Sequence, residues 1–169
     1  MLTSGSSPAE LRFVETDADR QMRAWLVLVA VLAVHVVDEA LTDFLGFYNP
    51  LVRAIRARIS WFPTPTFTFG IWLAGLVALV VVLAMLAPAV RRGAGGTRAA
   101  SWVLSAIMLL NGLGHLGGSL YFQRWLPGAT SAPLLLCASV VLARRTWHRK
   151  RTEADGFCTL STTGADGAR

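Results

Sequence analysis

Long uncharged apolar runs alternate along this chain with short stretches that carry nearly all of its charge. No Asp, Glu, Lys or Arg occurs in residues 25–37, 68–90, 102–123 or 126–143. About 20 mainly apolar helical residues cross a bilayer core, so the pattern predicts four membrane-spanning helices, at 24–45, 67–87, 99–122 and 126–143. Pro88 is placed to stop the second, and Pro133 to bend the fourth near its first turns. Between the second and third, Arg91 to Arg98 reads as a short basic, glycine-rich turn without the spacing of a phosphate-binding loop.

The connection between the first two spans has a pattern of its own. Asn49 can cap a helix with Pro50 at its first position. Leu51, Val52, Ile55, Ile59 and Phe62 then recur at helical spacing, with Arg53 and Arg56 on other faces. Residues 50–62 are therefore expected to form a short helix lying in the membrane interface, with Trp61, Phe62 and Trp125 in an aromatic belt. The predicted architecture is all-α: an integral membrane four-helix bundle at 24–146, with an interfacial helix between its first two spans. A polar N-tail at 1–23 and a disordered basic and polar C-tail at 147–169 flank it.

Composition strengthens the membrane reading: 54% of the 169 residues are apolar and only 15% are charged, against roughly 25% charged in soluble domains. The basic residues are also asymmetric. Arg12, Arg20, Arg23, Arg91, Arg92, Arg98, Arg144, Arg145, Arg149, Lys150 and Arg151 fall on one side of a four-span topology, and Arg53, Arg56, Arg58 and Arg124 on the other. The richer side is expected to be cytoplasmic, so the chain is expected in a cell's inner or plasma membrane with both termini in the cytoplasm. The first span is expected to act as an uncleaved signal anchor, because a polar stretch precedes it. A net charge of +6 suits anionic lipid headgroups; no soluble surface is left for nucleic acid. Cys137 and Cys158 have no zinc-like spacing and are not placed to pair.

Against this background the polar residues inside the spans stand out. His35, Asp38, Glu39 and Asp43 lie close together in the first span. At about 100° per residue, with His35 at 0°, Asp38 falls near −60°, Glu39 near +40° and Asp43 near +80°, less than half the helix circumference. The third span carries Asn111, His115 and Ser119 at i, i+4, i+8, amid Gly112, Gly114, Gly117 and Gly118. Counted from the basic side, Asn111 is level with His35 and His115 with Glu39, and the Gly114/Gly118 pair would allow close helix approach.

The stretch His35-Val-Val-Asp38-Glu39, with Asn111-Gly-Leu-Gly-His115 and Leu126-Pro127-Gly128-Ala-Thr130, resembles a family of small bacterial membrane proteins named for an HxxEE motif. The resemblance covers roughly residues 27–140, and Asp38 stands where the motif has its first Glu. It implies a shared intramembrane site more than a shared reaction, since the family has no agreed activity.

Acidic groups at a span's centre cost about 2.5–3.5 kcal/mol on the insertion scale, so they must pair, protonate or bind something. Three functions follow as expectations. The first is a membrane enzyme acting on a lipophilic, lipid- or isoprenoid-like substrate. His35, Asp38, Glu39, Asp43, Asn111 and His115 would form its catalytic cluster, working by general acid–base chemistry or through a divalent metal on His35, Glu39 and His115. The second is an ion, proton or small-molecule transporter or transporter subunit, for which four spans would require a homo-oligomer. The third is a structural polar network joining the helices.

Overall fold

The structure, a computed structural model, describes the backbone of residues 16–163 and the side chains as far as residue 148. These residues form six helices and no strand: α1 Asp17–Leu41, α2 Phe44–Arg58, α3 Phe69–Met85, α4 Ala87–Arg92, α5 Thr97–Tyr121 and α6 Ala132–Thr163. Three helical stretches, α1, α3 with α4, and α5, are long and apolar enough to cross a membrane. Residues 1–15 of the expected N-tail and 164–169 of the expected C-tail lie outside the described residues.

The helix boundaries differ from the sequence expectation for local reasons. Thr16 caps α1 by accepting from the Asp19 amide, so the first helix starts a full turn and more before residue 24. It ends at Leu41 instead of running to residue 45, because Asp43 turns left-handed (φ 56°) and caps α2 through the Gly46 amide. The connecting helix thus covers 44–58, and Asn49 is not its cap. Asn49 donates to Phe67 O at 2.9 Å and accepts from Phe67 N at 3.1 Å, and Tyr48 donates to Pro65 O at 3.0 Å. These bonds strap α2 to the chain that leads into α3. Pro88 does not end the second span. The break falls at Leu86, and Pro88 sits in the first turn of α4, where its missing N–H costs no helical bond. The last helix starts at Ala132, not at residue 126, and its backbone continues through residues 147–163 to Thr163.

α1 is central, touching α2, α3, α4 and α6, while α6 also packs along α5. Trp25, Leu28, Leu32 and Val36 form its buried stripe, meeting Leu83, Ala87 and Val90 on one side and Leu135 and Leu142 on the other. Outside this core the surface is apolar: Ile71, Val77, Val82, Met85, Leu110 and Leu113 are exposed. Such a contiguous apolar exterior suits lipid. Because lipid tails are as apolar as the core, packing and interhelical hydrogen bonds hold the helices together more than burial does.

Two polar contacts tie the basic end. Gln21 Nε2 donates to Ser101 Oγ at 3.3 Å and Thr146 Oγ1 at 3.4 Å, joining α1, α5 and α6 in a buried clamp. Arg91 of α4 pairs with Asp19 of α1 at 2.8 Å. Nearby, the Trp25 indole donates to Leu83 O at 2.7 Å, where α3 is about to break. Trp25→Phe should therefore lower the thermal unfolding midpoint in detergent by an amount corresponding to about 1–3 kcal/mol, since it leaves a buried carbonyl unpartnered. An unchanged midpoint would show that this bond carries no stability.

Candidate metal and catalytic site

His35 and Glu39 are one turn apart on α1, so their side chains project side by side. His115 reaches them from α5. All three are buried, and one ligand atom from each lies within 4.8 Å of the others. Glu39 Oε1 is 3.1 Å from His115 Nε2 and 3.5 Å from His35 Nε2, and the two rings meet edge to face with centroids 4.8 Å apart.

The far nitrogens of both rings are fixed. His115 Nδ1 lies 2.6 Å from Pro127 O. A carbonyl only accepts, so this nitrogen carries the hydrogen. His35 Nδ1 lies 2.7 Å from Ser131 Oγ, whose own hydroxyl donates to Asp38 Oδ2 at 2.7 Å. Ser131 Oγ therefore accepts from His35, and this Nδ1 is also a donor. In its neutral form each imidazole then turns an Nε2 lone pair toward the same carboxylate oxygen. His35 Nε2 is fully buried and has no hydrogen-bond partner among the described residues; its 3.5 Å approach to Glu39 is not a hydrogen bond. An arrangement of three lone-pair donors facing inward needs a proton or a cation between them.

Bonds of about 2.0–2.1 Å at tetrahedral angles separate ligand atoms by roughly 3.3 Å; the two separations from Glu39 Oε1, 3.1 and 3.5 Å, are close to this, while the set as a whole spans up to 4.8 Å, so a cation would draw the two imidazoles together. Two imidazoles and one carboxylate are the donor set of catalytic zinc sites and of non-haem iron sites, with positions left open. The Nδ1 contacts to Pro127 O and Ser131 Oγ are the outer bonds that orient imidazole ligands.

The remaining candidates take other positions. Asp38 is half-buried and accepts from both the amide (2.9 Å) and the hydroxyl of Ser131, so it holds the residue that holds His35. Asp43 is exposed and caps α2, because α1 stops before it and the predicted helical face does not extend that far. Asn111 is half-buried one turn before His115, outside the hydrogen-bonded set. Ser119 donates to His115 O at 2.7 Å and accepts from Leu126 N at 3.1 Å.

Ser131, Pro127 and Gly128 belong to the site without having been singled out for chemistry. All three lie in the non-helical lead-in to α6, and their signal is the Leu126-Pro127-Gly128 stretch with a serine soon after it. Gly128 has φ +80°, and an added Cβ would lie 2.8 Å from His115 Cε1 and 3.1 Å from Glu39 Cγ. The α5 glycines also act differently from the close approach to α1 expected of them. Gly112 and Gly118 meet Leu136 and Leu126, letting α5 close on α6 and its lead-in, while Gly114 and Gly117 face open space.

Gly128→Ala should thus disturb the cluster through both strain and overlap, lowering stability by about 1–3 kcal/mol from the backbone conformation alone. Gly114→Ala, with nothing in the way, should be neutral or slightly stabilising through helix propensity. Thermal unfolding of the two variants in one detergent checks the contrast, and equal effects would mean that Gly128 does not support the site.

Comparison with curated proteins and with solved structures gives no match. The family described as "Protein of unknown function with HXXEE motif" matches residues 25–143, which run from within α1 to the apolar part of α6 and include every residue of the cluster. Over that span, with Asp38 in place of the motif's first Glu, the chain belongs to the HXXEE family.

Proposed function

We propose that the chain is an integral membrane enzyme that holds a divalent metal ion on His35, Glu39 and His115 and acts on a lipophilic substrate. One observation carries this reading. Asp38, Ser119 and the two Nδ1 atoms are all occupied in satisfying the non-helical lead-in to α6, whereas among the described residues the polar contacts of Glu39 Oε1 and the two Nε2 atoms are with each other. Two imidazoles and a carboxylate are costly as helix glue, when interhelical polar contacts average about 0.6 kcal/mol. Glu39 Oε1 and the two Nε2 atoms are the parts of the cluster that make no hydrogen bond to the lead-in backbone.

A metal bound there would supply Lewis acidity or a water of lowered pKa. The chain's own residues fix both imidazole tautomers and leave Glu39 as the one anionic ligand. A cavity of about 340 Å³ supports the substrate class. It is walled by Phe44, Tyr48, Phe67 and Trp72 and lies between α2 and α3. Phe44 is shared with the site, since its ring is 5.9 Å from that of His115 and 5.8 Å from that of Trp72. An aromatic, nearly nonpolar wall beside the cluster suits a hydrocarbon or isoprenoid-like group better than a hydrated ion.

The test is metal content of the tag-free chain purified in detergent. The expected result is about one divalent ion per chain, reduced to background in His35→Ala, Glu39→Gln and His115→Ala and retained in Asp43→Asn. Ser131→Ala should weaken affinity by about 10–100-fold, as loss of an orienting contact does. If the wild-type chain takes up no zinc, iron, cobalt or manganese, the metal reading fails. Folded, metal-free variants with unchanged stability would then leave the cluster to proton chemistry.

The reading also includes four spans, with α6 as the fourth, α2 in the interface, and both termini on the cytoplasmic side. Its support is the basic asymmetry and the uncharged run 126–143, made of the lead-in and the first part of α6 together. A reporter fused after Arg151 should be cytoplasmic and a label at Ser60 should react only from outside. An external reporter would overturn the topology.

A further inference from the structure

On its α3 side, the aromatic cavity of about 340 Å³ is lined by Ile71, Trp72, Gly75 and Leu76. At about 100° per residue, with Ile71 at 0°, Gly75 falls near 40°, Trp72 near 100° and Leu76 near 140°. The residue of this face that has no side chain thus lies between two whose side chains wall the cavity. A Cβ added at Gly75 would meet open space. Ile71 and Gly75 are exposed, so this wall also borders the cavity's opening to the side. None of the seven lining residues is charged, and the Tyr48 hydroxyl is already donated to Pro65 O at 3.0 Å. An occupant is therefore met chiefly by apolar and ring surface. Phe44 and Trp72 mark the end nearest the cluster, with the Phe44 ring against His115. Gly75 lies three residues beyond Trp72, about 4.5 Å farther from the start of α3.

We propose that Gly75 sets the size of the hydrocarbon group that this cavity admits, the group lying along Ile71, Gly75 and Leu76 with its reacting end toward Phe44. The missing side chain is what leaves the room, so each carbon added at residue 75 takes space from the substrate. This rests on the reading of the cavity as the substrate's place, and it holds whether the cluster works through a metal or through protons. Gly70 gives the internal comparison. It lies near −100° when Ile71 is at 0°, at about 100° per residue, is not among the lining residues, and an added Cβ there also meets open space. Leucine at either position favours the helix over glycine, so a difference between the two variants reports the cavity.

For the test, the full-length chain in phosphatidylcholine nanodiscs is photolabelled with a farnesol analogue carrying a diazirine at the end of its chain. Labelled residues are read by mass spectrometry, and unlabelled geraniol, farnesol and geranylgeraniol compete. In the wild type, label that excess farnesol suppresses should fall between Phe67 and Leu76. Gly75→Leu should lower this labelling severalfold and move the order of competition toward geraniol, the shortest chain. Gly75→Ala should move it the same way by less, and it decides the matter if the leucine variant does not fold. Gly70→Leu should match the wild type. Wild-type chain without suppressible label in that segment would overturn the proposal, as would Gly75 variants that keep the order of competition seen in Gly70→Leu. Metal content measured on the same samples separates the two readings. A metal-loaded chain with no shift in size preference would overturn the role of Gly75 alone. A metal-free chain that shows the shift would overturn the metal reading and keep this role.

Discussion

The contact on which the rest of this structure depends is the approach of two imidazoles to a single oxygen of Glu39, at 3.1 and 3.5 Å. A carboxylate in a low-dielectric helix core is expensive unless it is compensated. Here the groups that face it come from α5 on one side and from its own helix on the other, and a proton or cation held between them supplies the compensation. Neither ring could be aimed so without an acceptor behind it, and both acceptors lie in the six residues before α6. The site therefore constrains the last helix to begin late, at Ala132, with its lead-in folded against α1 and α5.

That lead-in explains much of the other polar content. Non-helical backbone at membrane depth is tolerated only where its N–H and C=O groups are satisfied by protein. Ser119 Oγ accepts from Leu126 N, His115 donates to Pro127 O, and Asp38 accepts from Ser131 N. The polar residues of α1 and α5 thus serve a backbone that the apolar core cannot serve. Packing follows from the same requirement. Gly112 and Gly118 lower the α5 surface where α6 and its lead-in arrive, and Gly128 removes a Cβ where two site residues pass.

The helical content, the apolar spans and the convergence of His35, Glu39 and His115 are legible in the sequence. They rest on uncharged run length, on i, i+4 spacing and on depth counted along straight helices. What the sequence hides is set by single residues whose backbone leaves the helix. Asp43 at φ 56° ends α1 early, and this removes Asp43 from the face that a continuous helix would give it. The apolar stretch from residue 126 looks like the start of a span because apolarity alone does not separate helix from a buried turn. Ser131 is similarly silent: one serine in an apolar run has many uses, and only the fold shows it between Asp38 and His35.

The difference at Asp38 has a physical reading in this arrangement. The motif's first acidic position is not a second carboxylate aimed at the cluster; its oxygen lies against the amide and hydroxyl of Ser131 at 2.9 and 2.7 Å. That task depends on reach. The short Asp arm brings the lead-in close to α1, so that Ser131 can contact His35 at the same time. A longer Glu at this position would hold the same amide only with the lead-in displaced outward or its own chain folded back. Charge at residue 38 thus acts through position, while charge at residue 39 faces the imidazoles directly. The two adjacent acids divide between orienting the site and forming it.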